Sequence, residues 1–241
     1  MTAAQEEENQ ESEEPAPPPP DLSINLAMAA ALSGEVSRLC RALDDEEDPY
    51  HPEIQERLNE RDLEGKSPLD MASMLGRDNV VKELLVRGAD PNIATPRGYT
   101  ALHRAASWGK LACVKILVQF QADLQKRTHH GERAREIAVR YAMEDCVQYL
   151  DRQEARQTLK SYVASMRETL ADPEKMGAAK LTKEEKTSTN AALTEKEQWL
   201  ENTTDASVQD YLDKKSELEQ QMETVMLKIS GQVPETPASK K

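Results

Sequence analysis

The hydrophobic positions of this chain come in copies. From Gly65 the text reads GKSPLDMASMLGRDNVVKELLVRGAD, and from Gly98 it reads GYTALHRAASWGKLACVKILVQFQAD. Leu69 and Leu102, Ala72 and Ala105, Gly76 and Gly109, Val81 and Val114, Leu84 and Leu117, and Asp90 and Asp123 are each 33 positions apart. A fixed period of this size marks stacked units, none of which buries its apolar face alone. Each unit predicts two short helices. Ser67 before Pro68, and Thr100 before Ala101, stand where a cap and a first turn belong. Gly76 and Gly109 separate the paired helices, and RGADPN at 87–92 ends the unit with a turn.

Weaker copies flank these two. Residues 21–43 pair two helical patterns around Ser33-Gly34 and read as a degenerate first unit. Gly34 precedes Gly76 by more than one period, and the excess falls in 44–62, where DDEEDPYHPE predicts an exposed acidic loop with a helical turn or two near Ile54, Leu58 and Leu63. That insertion reads either as a solvated spacer or as a binding loop. After Leu124, Gly131, Ala138, Val147 and Leu150 keep the period, but Arg133 occupies the capping position and Ala142 stands where a glycine belongs. The repeats therefore fall near 63–95, 96–128 and 129–154, within a domain spanning 21–154.

Beyond Asp151 the period stops. Leu159, Tyr162, Val163, Met166 and Leu170 form one amphipathic stripe, ended near Asp172-Pro173. After the loop EKMGAAK, Thr182 with Glu185 makes a capping box for a second helix that runs to about residue 200. Val208, Tyr211, Leu218, Met222, Val225 and Ile229, interrupted by Lys215, form a third stripe that stops at Gly231. Each stripe needs a partner face. An antiparallel three-helix bundle over 155–231 satisfies all three, and an intermolecular coiled coil of the last helix is the alternative. Residues 1–20, rich in Glu and then Pro, and residues 232–241 read as disordered tails. The acids flanking the prolines argue against a polyproline docking motif there.

Composition narrows the partners. A net charge of −13 argues against nucleic acid and anionic membrane. With a single Phe and 4% aromatic residues, packing falls to Ala, Leu and Val. Three cysteines without a C-x-x-C pair argue against both a disulfide framework and zinc. Cys113 and Cys146 are again one period apart, and all three cysteines read as buried small hydrophobes. The apolar run 22–32 lacks a basic leader and is too short to span a bilayer, so the expectation is a soluble, cytoplasmic protein.

The copies resemble the ankyrin repeat, whose pattern is G-x-T-P-L-H-x-A-x-x-G followed by an amphipathic helix and G-A-D-x-N. That resemblance implies an all-α solenoid that binds other proteins. The runs TLKSYVASMRETLADPEK, KLTKEEK and EKEQWLENTTDASVQDYLDKKSELE are similar to the helical lid of seventy-kilodalton heat-shock chaperones, chiefly through Trp199-Leu200, Asn202 and Glu217-Leu218-Glu219. The nucleotide-binding domain and β-sandwich of those chaperones are absent, and the chain ends PASKK in place of their acidic docking motif. This second resemblance implies a heat-shock chaperone, or an unfolded client, as partner. A short ankyrin stack joined to a lid-like bundle is also similar to one family of small ankyrin-repeat proteins. That likeness alone implies the nucleus, cilia or mitotic structures as further locations.

In ankyrin proteins the turn tips and the two residues before the interhelical glycine face the concave groove. Here those columns read Lys66, Tyr99 and Glu132 at the turns, with Arg97 at the tip of the middle one. At the helix ends they read Met74, Ser107 and Arg140, and Leu75, Trp108 and Tyr141. The last three form an apolar and aromatic row, either binding anchors or packing against the next repeat or the bundle. No catalytic set accompanies them. His103 lacks a nucleophile partner, and His129-His130 in a tight turn make a poor metal pair. Phosphate-binding glycine motifs are missing, so no cofactor is expected.

Overall fold

The computed structural model describes residues 25–172 and 181–230. The expected tails at 1–20 and 232–241, the loop EKMGAAK and the stop at Gly231 lie outside the described residues. Among the described residues every regular element is a helix, as the all-α reading expects.

Four helices form the inner layer: α1 (Leu26–Ser33), α4 (Pro68–Leu75), α6 (Ala101–Ser107) and α8 (Ala134–Arg140), each touching the next. Behind them lie α2 (Ser37–Asp44), α5 (Asp78–Val86), α7 (Leu111–Gln119) and the start of α9 (Glu144–Ala171). Between the layers runs a core built from the period itself: Leu69 with Leu102, Ala72 with Ala105 and Ala138, Val81 with Val114 and Val147, and Leu84 with Leu117 and Leu150. The turns between repeats form a second ladder. The amides of Asp62, Thr95 and Thr128 donate to the carbonyls of Lys66, Tyr99 and Glu132 at 2.9, 2.7 and 2.9 Å. One turn is tied to the next where Asn59 Oδ1 accepts from the Asp90 amide at 3.3 Å and Asn92 Oδ1 from the Asp123 amide at 2.8 Å.

The insertion holds the exposed acidic turn at 44–47 and the helical turns expected near Ile54, and these turns are packed onto the stack. The 42 positions from Gly34 to Gly76 exceed the period by nine, but Asn59 and Asp62 already hold the positions of Asn92 and Thr95. The extra chain makes α3 (His51–Arg57), which buries Ile54 and Leu58 in the common core. Polar contacts pin it. Asn25, which caps α1 by accepting from the Met28 amide, also donates to the Arg57 carbonyl at 3.1 Å. Buried Asp48 pairs with Arg38 at 2.7 Å, and this guanidinium holds its carboxyl below the usual range despite the cost of burial. Only Leu63 of the expected apolar trio is fully exposed.

The helix expected to begin near residue 155 does not begin there. α9 is unbroken from Glu144, because nothing from 144 to 171 is Gly or Pro. Its first part closes the solenoid through Cys146, Val147 and Leu150. Its second part enters a separate core through Leu159, Val163 and Met166. Nine residues are about two and a half turns, so Leu150 and Leu159 point to opposite sides of one rod. The second core is completed by α10 (Lys183–Asn202) and α11 (Val208–Ile229). Thr182 and Glu185 cap α10 as the spacing predicts. Arg156 donates to the Leu200 carbonyl at 3.0 Å, and Lys228 near the end of α11 pairs with Glu185 at the start of α10, so α10 runs antiparallel to both α9 and α11. Trp199 meets Tyr211 edge-on at 5.3 Å.

Two backbone positions test how the stack is held. Gly98 has φ +80°, and an added Cβ would lie 2.9 Å from both the His129 nitrogen and the Thr128 Cα. Both neighbours are main chain and neither yields. Ala142, at the place of Gly76 and Gly109, keeps φ +57° without the glycine. In urea or thermal unfolding, Gly98→Ala is expected to destabilise by about 2 kcal/mol or more, and Ala142→Gly to stabilise by about 1 kcal/mol. Equal stability of both variants with the parent would contradict the account.

Candidate protein-binding face

The inner-helix face is assembled by caps that also join repeats. At the start of α4, Ser67 and Asp70 cap reciprocally: Asp70 Oδ2 accepts from the Ser67 amide at 2.9 Å, and Ser67 Oγ accepts from the Asp70 amide at 3.2 Å. In α6 the same box is made by Thr100 and His103. Nδ1 of His103 accepts from the Thr100 amide at 3.1 Å, so the ring proton sits on Nε2, which donates to the Glu132 carbonyl of the next turn at 3.3 Å. In α8 only half the box survives. Glu136 accepts from the Arg133 amide at 2.7 Å, but a guanidinium has nothing to accept with and turns instead to Glu154.

On this frame the structure brings four of the expected site residues together. Arg140 pairs with the Glu132 carboxylate at 3.0 Å and lies over the Tyr141 ring, 5.1 Å from its centroid. Partial burial alone would lower the Arg140 pKa, but Glu132 and a hydrogen bond with Tyr99 outweigh it and raise it. Tyr99 also meets His103 edge-on at 6.0 Å. The link unseen in the sequence is Arg104, whose guanidinium stacks on Tyr99 at 4.6 Å. It occupies the column of Met71 and Ile137, and a charge in an otherwise apolar column was the signal available.

The other expected residues stand apart from that cluster. Lys66 pairs with Glu64 in its own turn. Arg97 is exposed, and its carbonyl accepts from the His129 amide at 3.1 Å. Ser107 donates its hydroxyl to the Arg104 carbonyl at 2.9 Å, and Met74 is half-buried. Leu75, Trp108 and Tyr141 end successive inner helices and are 38%, 58% and 52% exposed. His129 and His130 are both exposed at a turn.

The cysteines lie elsewhere. Cys113 and Cys146 are buried, and burial pushes the Cys113 thiol up to about 11. Cys40 departs from the expectation, being only half-buried. Among the described residues no helix is long and apolar enough to cross a membrane. Nor does any group of three or more His, Cys, Asp or Glu there lie close enough to hold a metal.

Helix pairs joined by left-handed turns and stacked at a 33-residue period define an ankyrin-repeat protein, a protein–protein interaction module. A family model described as ankyrin repeats matches it in three copies over residues 71–161. Three relatives match longer stretches of the chain. Ankyrin repeat domain-containing protein 45 of Homo sapiens is 37% identical over 206 residues, covering 86% of this chain and 77% of its own. The Mus musculus protein of that name is 37% identical over 206 residues, covering 86% and 83%. The Danio rerio protein is 39% identical over 138 residues, covering 57% and 61%. This chain belongs to the ankyrin repeat domain-containing protein 45 family.

His103 gives the face a pH signature. Burial lowers its folded pKa below the ordinary value, so the unfolded chain binds the proton more readily. Its contribution to stability is therefore complete above the unfolded pKa, near 6.5, and is lost as pH falls toward the lower folded value. Asp70 works in the opposite sense, since burial raises its pKa above the ordinary 3.8 and its contribution to stability is lost as pH rises from there through the raised value. The melting temperature is expected to fall between about pH 7.5 and about pH 5.5, and the slope to flatten in His103→Gln. An unchanged slope in the variant would remove His103 as its cause.

Proposed function

We propose that this protein is a non-catalytic adaptor that holds one partner on the inner-helix face of its repeats and leaves its bundle for a second contact. The observation that carries the reading is the apolar row Leu75, Trp108 and Tyr141, set one repeat apart and facing solvent. Large apolar side chains left exposed in a row mark contact surfaces, and Trp and Tyr are the commonest binding anchors. The alternative in which Trp108 only packs against its neighbours is disfavoured by a side chain more exposed than buried.

A second reading draws on the bundle. Residues 155–231, similar to a chaperone lid, have a core of their own around Leu159, Leu193, Tyr211 and Leu218. A module with its own core supports a contact with a heat-shock chaperone or an unfolded client. Nuclear, ciliary or mitotic locations remain proposals resting on family likeness alone.

In co-precipitation, Trp108→Ala combined with Tyr141→Ala is expected to release the partner of the repeats, weakening it at least about thirtyfold, with the melting temperature little changed. Undiminished capture would sink the assignment of the face. The bundle reading predicts that the full chain suppresses aggregation of a denatured client. Failure in that assay, together with no binding to a seventy-kilodalton chaperone, would count against it.

A further inference from the structure

The same face differs in sign from the rest of the molecule, and the difference describes its occupant. This inference rests on the reading of the inner-helix face as the docking surface. The chain carries a net charge of −13, but the charged columns of this face hold Lys66, Arg97, Arg104 and Arg140 against two acids at the turns, Glu64 and Glu132, while the inner-helix Asp70, whose carboxyl feels the Arg104 charge, is buried. Both acids are already engaged, Glu64 by Lys66 and Glu132 by Arg140. Arg97 and Arg104 make no ion pair among the described residues. The Arg104 guanidinium carbon lies over the Tyr99 ring, 4.6 Å from its centroid, and Nε is buried without a hydrogen-bond partner. The nearby Ser107 hydroxyl donates to the Arg104 carbonyl and leaves that nitrogen unserved. That nitrogen is sealed from solvent, so a partner's acceptor meets Arg104 at the outer edge of the guanidinium, through its two terminal amines.

We propose that this face docks a short acidic peptide segment of a partner protein, in which one carboxylate engages Arg104 and a neighbouring apolar or aromatic side chain sits on Trp108. The planar guanidinium offers a carboxylate two parallel donors, and the contact with Tyr99 holds its position beforehand. Trp108 is separated from Arg104 by one turn of the same inner helix, so residues close together in a peptide reach both. The occupant is short because a long polyanion such as nucleic acid meets the acidic remainder of the molecule, whereas one or two carboxylates interact locally within a screening length of about 8 Å.

The test uses the full chain as bait for random peptides on phage, followed by titration of the enriched sequences as labelled synthetic peptides. The expected result is enrichment of Asp or Glu within a few positions of an apolar or aromatic residue. Affinity should fall at least about tenfold in Arg104→Gln, less in Arg104→Lys, and with added salt. Trp108→Ala should weaken the same peptides while the fold, followed by circular dichroism, is retained. Enriched peptides that need Trp108 but lack acidic residues, or that need a phosphate, would overturn the acidic-peptide assignment and leave the docking face standing. Peptides indifferent to both Arg104 and Trp108, or no enrichment at all, would overturn both. If a synthetic peptide of residues 5–14 displaces the selected ones at equal or lower concentration, the occupant is the chain's own acidic segment and the assignment to a partner fails.

Discussion

One uninterrupted rod carries two cores. α9 presents Cys146, Val147 and Leu150 to the repeats and Leu159, Val163 and Met166 to the bundle. A helix without Gly or Pro resists bending, because each residue between the two apolar stripes contributes to the hydrogen bonding that a kink would break. The repeats and the bundle are therefore not beads on a string. Whatever rotates one about α9 must strain the helix or unpack a core. A solenoid ends with an uncovered apolar face, and here the last cover is also the first strut of the next unit.

The binding face depends on that rigidity at one remove. Its anchors lie at the ends of inner helices, and their spacing follows from how the repeats stack. His103 and the Asn92 side chain tie each turn to the next by bonds to main-chain atoms, so they do not depend on which side chains the turns carry. The tips can then vary freely. Lys66, Tyr99 and Glu132 occupy one column with three different chemistries, and the local reversal of charge arises without disturbing the frame.

Much of this was readable from residue spacing, for a physical reason. The 33-residue period reports directly on stacking, since the same side chain must meet the same neighbour in each repeat, and Ser67, Thr100 and Thr182 cap where their types predict. The failures are equally physical. The helical turns of α3 were legible near Ile54 and Leu58 but their packing was not, because one apolar step amid charge does not show that Asn25 and Arg38, on other elements, fasten the segment. α9 looked like two helices because its stripes face opposite partners and fall out of phase, although the missing breaker residues were in plain view. Arg104 was passed over because its importance comes from a stacking contact with Tyr99 and from an unpaired nitrogen, and periodicity records neither.

The left-handed turn at Ala142 and the long helix after it together fix where such a protein has room to grow. Ankyrin arrays change length by gaining or losing whole units, but a unit added after the last one here would have to break α9 and separate the bundle from its support. Among the described residues, the first unit, α1 and α2, shares no helix with a second core. α3 already shows nine extra residues accommodated between the first unit and the second, at no cost to the ladder of turns that follows. Repeat number is thus closed at the bundle, where any added unit would have to part the two cores that α9 holds together.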